Sequence, residues 1–585
     1  MNQFSKTIFT TFTCCLLICF ASATEKVVDI RDFHKYHRPN DATPMIRAAI
    51  DHCKNVKATK LIFPKNSYYF KTDLAVEKYV FMSNNDEGLK RFVFDLTGIE
   101  NLEIDGQGSK FILNGFLSPF LLENSRNISF KNFSIDYMRT FHNEGKILAA
   151  DSSGLTVQFS EKFPYKLNYQ TLIFTDTAGL VYPWSDLLEF DPVKKETAFM
   201  ANDFWIGSNV PVKEIEPGII KLLSPDITGT PGNVMVFASA FRLVPAFNIS
   251  NSASIRFDRI DIFHCGGMGI IAQNSRDIFL NNVRVTPAPG SGRIISITAD
   301  ATHFSNCSGK ITIDSCLFEN QKDDATNIHG IYSKITKVIS PFEIEVALIH
   351  RHQFGFEYLK PGVKVEFADA ASIVTYAQNS VKSAEIINKE VTRVTFDKPV
   401  SAQTKAGDVI ASTMGYPEVL IKNSVFRGNR ARGLLLNSRG KTIVENNIFH
   451  VPGAAILFEG DASFWYEQSG VDDVIIRNNT FDNCNFGVWG NACIQVGSGI
   501  SKNVRSKSRY HKNITIEHNT FKIFDPRIIN AYSVDGLIFK DNKIEKSEAY
   551  KSNFPSSKSF VVDDCWNVDI DGLSNLNSSE NGKKY

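Results

Sequence analysis

The chain has 585 residues, with 64 Lys plus Arg against 63 Asp plus Glu and no long run of one sign. That length exceeds a single globular core, so the chain needs either several domains or a repeat that lengthens one core. The balanced charge argues against a nucleic-acid or membrane-surface partner. It suits a neutral ligand such as a sugar, although packing in a core accounts for most of the 46 Phe.

At the N-terminus Lys6 precedes an apolar stretch from Ile8 to Phe20, and Ala21-Ser22-Ala23 ends it. This is the pattern of a signal peptide over residues 1–23. The expected mature protein is exported, to the periplasm or beyond, with no transmembrane segment, because nothing later reaches the roughly 20 apolar residues of a bilayer span. Cys19 leaves a lipoprotein signal as a second reading, against which the bulk of Ile18 speaks. The seven later cysteines are an odd number with no zinc-type spacing, so no metal is expected, at least one thiol is free, and the pairing of the rest stays open.

Residues 24–140 read as an N-terminal cap and the first coils of a solenoid. Thr43-Pro44 opens a short helix, with Thr43 as N-cap, whose Met45, Ile46, Ala49, Ile50 and Cys53 share one face. The main signal is internal repetition. An apolar residue, any residue, a small polar residue, two of any type and an apolar residue recur as Phe130-Lys-Asn132-Phe-Ser-Ile135, Leu280-Asn-Asn282-Val-Arg-Val285, Ile313-Asp-Ser315-Cys-Leu-Phe318 and Ile421-Lys-Asn423-Ser-Val-Phe426. Further copies end at Phe449, Phe481, Phe521 and Ile544, and a weaker one ends at Ile262. The steps from Ile262 to Val285, Phe426 to Phe449 and Phe521 to Ile544 are each 23 residues, the length of one coil. Ile, Val and Phe with Asn and Gly at the bends, and no helix between strands, give an all-β chain. It is expected to be a right-handed parallel β-helix with Phe318, Phe426, Phe449 and Phe481 in register in its core.

Two stretches break the rhythm, at about 141–245 and 333–415. Both alternate apolar and polar residues without the Asn-rich repeat, and they read as small antiparallel, barrel-like β domains inserted into turns. Residues 246–332 and 416–585 are then the coils after each insert.

Asp300 and Asp323 are 23 residues apart, one coil, and Asp324 adjoins the second. Neighbouring strands lie roughly 4.8 Å apart, so the three carboxyl groups should meet in one patch. Adjacent strand residues point to opposite faces, so Asp323 and Asp324 can both face outward only at a bend. Gly267, at the same phase in the coil before, is expected to leave room for a ligand, and Arg432 follows in the coil after. The run Glu459-Gly-Asp461-Ala-Ser-Phe-Trp465-Tyr-Glu467 offers a Trp beside acids, the usual make-up of a sugar platform. His303 and His329 are as well explained by structure or binding as by proton transfer.

The Ala299-Asp300-Ala301 and Lys322-Asp323-Asp324-Ala325 segments resemble the Asp and Asp-Asp motifs of the family 28 polygalacturonases. The mature chain as a whole, with Asn327-Ile-His329-Gly330, Gly460 to Glu467 and both inserts, is more similar to glycoside hydrolase family 110. That resemblance implies an exo-acting α-1,3-galactosidase acting on blood-group-B-type and related glycans. Carried over, the polygalacturonase pattern makes Asp323 the general acid and has Asp300 and Asp324 hold the attacking water, an inverting arrangement that wants about 6.5–9.5 Å between acid and base. The Gly-His-Gly and Arg-Ile-Lys segments of the polygalacturonases are absent, which counts against galacturonan. Substrate contacts are expected from His329, Arg432, Glu459, Asp461, Trp465 and Glu467, with no cofactor and an oligosaccharide or glycoconjugate as the partner. A β-helical polysaccharide lyase or another polysaccharide-degrading hydrolase is the first alternative, the lyase disfavoured by the near-neutral charge and by Arg432 as the single arginine in view. A non-catalytic glycan-binding β-helix is the second. The sequence says nothing of oligomeric state, nor of linear against fucosylated substrates.

Overall fold

The structure, a computed structural model, describes residues 25–85, 88–497 and 499–571, so the signal segment lies outside the described residues. The chain coils into a parallel β-helix whose strands stack in register from coil to coil. In one ladder Ile135 pairs with Ile262, then in turn with Val285, Phe318, Phe426, Phe449, Phe481, Phe521 and Ile544. The expected register of the four phenylalanines holds: they are buried, and Phe426, Phe449 and Phe481 stack with ring centroids 5.2 and 5.1 Å apart. A second ladder runs from Phe247 through Ile270, Thr302, Thr326, Leu434, Ile456, Ile494 and Ile529.

The small polar residue of the repeat has a conformational cause. Asn132, Asn282, Ser315, Asn423, Asn446, Asn478, His518 and Asp541 all have positive φ, between 51° and 57°, where the chain turns between consecutive strands. Asn tolerates this left-handed region better than most side chains. The residue after it then builds a buried ladder, in which the backbone N–H of Asn447 donates to Asn479 Oδ1 and that of Asn479 to Asn519 Oδ1, both at 2.9 Å.

The helix Thr43–Val56 packs Met45, Ile46, Ala49, Ile50 and Cys53 onto the main core and closes that end. Its N-cap is Ala42 and not Thr43; the Asp41 carboxylate reaches past it to accept from the Thr43 N–H at 2.9 Å. The seven described cysteines are all buried free thiols.

Both breaks in the rhythm hold antiparallel sheet. In the first, Asn143–Asp151, Gly154–Phe159, Ile219–Leu222, Asp186–Asp191 and Val234–Ala238 form an open sheet. In the second, the strand Thr326–Ser340 leaves the solenoid and becomes the first strand of a six-stranded barrel. It closes through Glu343–Ala347, Val391–Phe396, Thr375–Ile386, Lys364–Ala368 and Val409–Ser412. Because His329 and Gly330 lie on this shared strand, the barrel is tied directly to the coil that follows Asp323 and Asp324.

Candidate active site

Asp300 lies two residues before the strand Thr302–Ser305, and Asp324 two before Thr326–Ser340. Thr302 pairs with Thr326, so the local step is 24 residues and Asp300 stacks on Asp324, not on Asp323 as the 23-residue coil implies. Residues 321–325 lie outside any strand, and this bend lets adjacent Asp323 and Asp324 face the same way. The three carboxyl groups meet as expected, with one oxygen of each within 4.8 Å of the others. That is closer than the 6.5–9.5 Å spacing expected for inversion.

The surrounding charges differ from the expectation of one arginine. Arg242 Nη2 donates to Asp323 Oδ2 at 2.7 Å and Arg430 Nη1 to Asp323 Oδ1 at 2.6 Å. Arg432 grips Asp324 with Nε at 2.9 Å and Nη2 at 2.7 Å, and its backbone N–H adds a third bond at 3.0 Å. Three guanidinium groups thus face three carboxyl groups, and a cation placed there would meet like charge. Lys322 is buried against Asp186, and burial pushes its ammonium down to about 7. The ground on which the sequence disfavoured a lyase, a lone Arg432, is therefore corrected. Arg242 is delivered by Gly267: a Cβ there would come within 3.0–3.3 Å of Pro245 and the Arg242 carbonyl. The room left by the missing side chain is filled by the chain returning from the first insert, not by ligand.

The acids do not share charge evenly. Burial pushes the Asp300 carboxyl up to about 7, with the neighbouring Asp323 adding to it. Burial likewise raises Asp324 to about 6 against the pull of Arg432. Burial acts on Asp323 too, but Arg430 and Arg242 outweigh it and hold this carboxyl below its ordinary value. Burial and charge therefore dispose Asp300, more than Asp323, to hold a proton in the free site, whereas the polygalacturonase pattern implies Asp323 as the general acid.

Hydrogen bonding agrees. Asp300 Oδ2 lies 2.7 Å from His303 Nδ1, His303 Nε2 lies 2.9 Å from His329 Nε2, and His329 Nδ1 faces the Gly330 carbonyl at 2.7 Å. Burial holds His303 well below its ordinary value, so the ring is neutral and carries one N–H. If that N–H bridges to His329, Nδ1 must accept, and Asp300 is the donor.

The other expected residues divide. Glu467 accepts from Asn84 Nδ2 at 2.8 Å and lies 3.5 Å from His329 Nε2, so both border the acids. Glu459 is driven up by burial despite nearby Arg432. Trp465 is 40% exposed beside His350, with ring centroids 4.5 Å apart. Asp461 Oδ1 accepts from the backbone N–H groups of Ser463, Phe464 and Trp465 and shapes the loop.

Sequence reasoning missed the contribution of the first insert. Asp203 binds Arg430 Nε through both oxygens, at 2.9 and 2.8 Å, and accepts from Trp489 Nε1 at 2.8 Å. No repeat phase reaches these residues; Asp-Phe-Trp at 203–205, an acid beside two aromatic residues, was the signal available.

Residues 143–234 match the GLAA-B beta-barrel domain I and residues 343–410 the GLAA-B beta-barrel domain II. The chain is 38% identical to alpha-1,3-galactosidase A of Shewanella woodyi, over 90% of this chain and 87% of that one. It is 33% identical to alpha-1,3-galactosidase B of Bacteroides thetaiotaomicron, over 95% of this chain and 92% of that one. Alpha-1,3-galactosidase A of Bacteroides fragilis is 29% identical over 96% and 94%. With both inserts matched and identity sustained along its length, the chain belongs to the alpha-1,3-galactosidase family, glycoside hydrolase family 110.

Proposed function

We propose that the protein is an exported, exo-acting α-1,3-galactosidase that removes terminal galactose from blood-group-B-type and related glycans, with Asp300, Asp323 and Asp324 as its catalytic carboxyl groups. The observation that carries this reading is the meeting of three carboxyl oxygens within 4.8 Å in a chain whose relatives bear that activity's name. Among the described residues no helix is long and apolar enough to cross a membrane.

The proton's resting place and its point of delivery differ. Asp323 has the most exposed side chain of the three, 14% against 4% for each of the others, so it is the one a leaving oxygen reaches. Sugar hydroxyls that compete for Arg242 and Arg430 loosen their hold on Asp323, and its affinity for a proton rises. The proton on Asp300 passes to Asp323 and then to the leaving oxygen as the bond to the anomeric carbon breaks. Asp300, now ionised, and Asp324 take a proton from the water whose oxygen joins that carbon. Trp465 supplies ring area for the galactose, so Trp465→Ala raises KM with kcat largely kept; an unchanged KM removes Trp465 from the site.

The short spacing favours a second reading. It is nearer the roughly 5–5.5 Å of retaining enzymes, in which a carboxylate attacks the anomeric carbon. NMR of the first galactose released from an α-1,3-linked galactobiose decides: β-galactose supports inversion, and α-galactose means a covalent intermediate. An unsaturated, ultraviolet-absorbing product identifies a lyase, and binding without turnover a glycan-binding protein.

A further inference from the structure

The first insert brings an aromatic surface to the site that the mechanism above does not use. Phe204–Trp205 forms a two-residue strand against Asp186–Asp191, with Trp205 opposite Asp186. Asp186 holds Lys322, the neighbour of Asp323, and Asp203 holds Arg430, which itself grips Asp323. The backbone around Trp205 is thus pinned at two points to groups adjoining the proposed acid. The indole is nonetheless 60% exposed, with its centroid 5.8 Å from the Arg430 guanidinium carbon and 5.9 Å from Lys322 Nζ.

Exposure of a single ring is ordinary on a protein surface, but here two ion pairs fix the place of this ring relative to Asp323 and leave its face open beside the proposed acid. We propose that Trp205 is the stacking platform for the sugar on the leaving side of the scissile bond, so that the first insert helps set which glycans are accepted. This rests on the hydrolase reading with Asp323 as proton donor. The acid stands beside the leaving oxygen, so the surface next outward from it, through Arg430 to Trp205, is where the departing sugar lies. The chain of His303, His329 and Glu467 runs instead from Asp300. Arg430 and Lys322 under the platform, with Arg242 beside them on Asp323, are matched by Asp203, Asp323 and Asp186, which leaves a locally balanced surface fitted to an uncharged pyranose rather than a uronate. Its C–H face would cover the ring area that Arg430 and Lys322 leave open.

The test compares kcat/KM on an α-1,3-galactosyl oligosaccharide with that on α-galactosyl fluoride, which carries no leaving sugar. Trp205→Ala is expected to lower the oligosaccharide value about tenfold relative to the fluoride, chiefly through KM. Trp205→Phe recovers most of that ratio. Trp465→Ala, acting on the galactose, lowers both substrates together. Equal losses on the two substrates with Trp205→Ala, or no loss on either, would overturn the platform. A wild-type protein that hydrolyses neither substrate sinks the hydrolase reading itself, which separates the two failures.

Discussion

Asp323→Asn lowers kcat on an α-1,3-linked oligosaccharide by about a thousandfold, and α-galactosyl fluoride, whose leaving group departs without a proton, recovers much of the loss. Positioned proton transfer contributes roughly 10²–10⁴-fold, and the change to Asn removes it while keeping size. Asp300→Asn and Asp324→Asn lose as much and are not recovered by the fluoride, because their fault lies in activating water. Recovery of Asp300→Asn instead of Asp323→Asn would make Asp300 the direct donor, with no transfer between them. The pH dependence follows from the same proton. With Asp300 at about 7, the protonated share of the free site falls as pH rises through that value, so kcat/KM falls on the alkaline side. A profile flat from pH 6 to about 9 would refute a resting proton on Asp300.

Glu366→Ala destabilises the protein by about 3–5 kcal/mol, the usual loss on breaking a buried ion pair from one side. Glu366 lies in the second insert with no solvent exposure, and Arg439 of the solenoid reaches it at 2.6 and 3.1 Å. Tyr416, Thr375 and Gln468 donate to the same carboxylate at 3.0, 2.7 and 2.7 Å. Removing it leaves a guanidinium and three polar groups without their acceptor. Burial raises the Glu366 carboxyl, but Arg439 and these hydrogen bonds outweigh it and the net shift is downward from 4.5. The folded value being the lower one, the clamp's stability is fully present above about pH 4.5 and is lost as pH falls through the depressed value. Thermal unfolding at neutral and acid pH checks both statements: the difference between wild type and variant should narrow in acid. Gln468 follows Glu467 and closes the Trp465 loop, so the variant should also raise KM.

The solenoid was legible because its physics repeats. A buried Phe, Ile or Val in nearly every coil and a left-handed polar residue, most often Asn, beside it leave a periodic trace, and Phe426, Phe449 and Phe481 follow from spacing alone. The meeting of the aspartates was legible for the same reason, although the 24-residue local step moved the partner of Asp300 from Asp323 to Asp324. What the sequence hid is whatever crosses from an insert to a coil. Arg242 reaches Asp323 only because Gly267 admits the returning chain, and Asp203 acts through Arg430; no periodicity links such positions. The distribution of charge was hidden with them, since the proton's place depends on those arginines.

The arginines that balance the acids lie far from them along the chain: 81 residues separate Arg242 from Asp323, 107 separate Arg430 from it, and 108 separate Arg432 from Asp324. A solenoid can grow coil by coil from local contacts, but this patch is complete only when both inserts have folded and docked. Until then each acid is solvated and ordinary, and the proton affinities on which hydrolysis depends do not exist. Enzymatic activity during refolding should therefore appear after the β-sheet signal has recovered, and a single proteolytic cut in the first insert that releases Arg242 should silence the enzyme while most of its sheet persists.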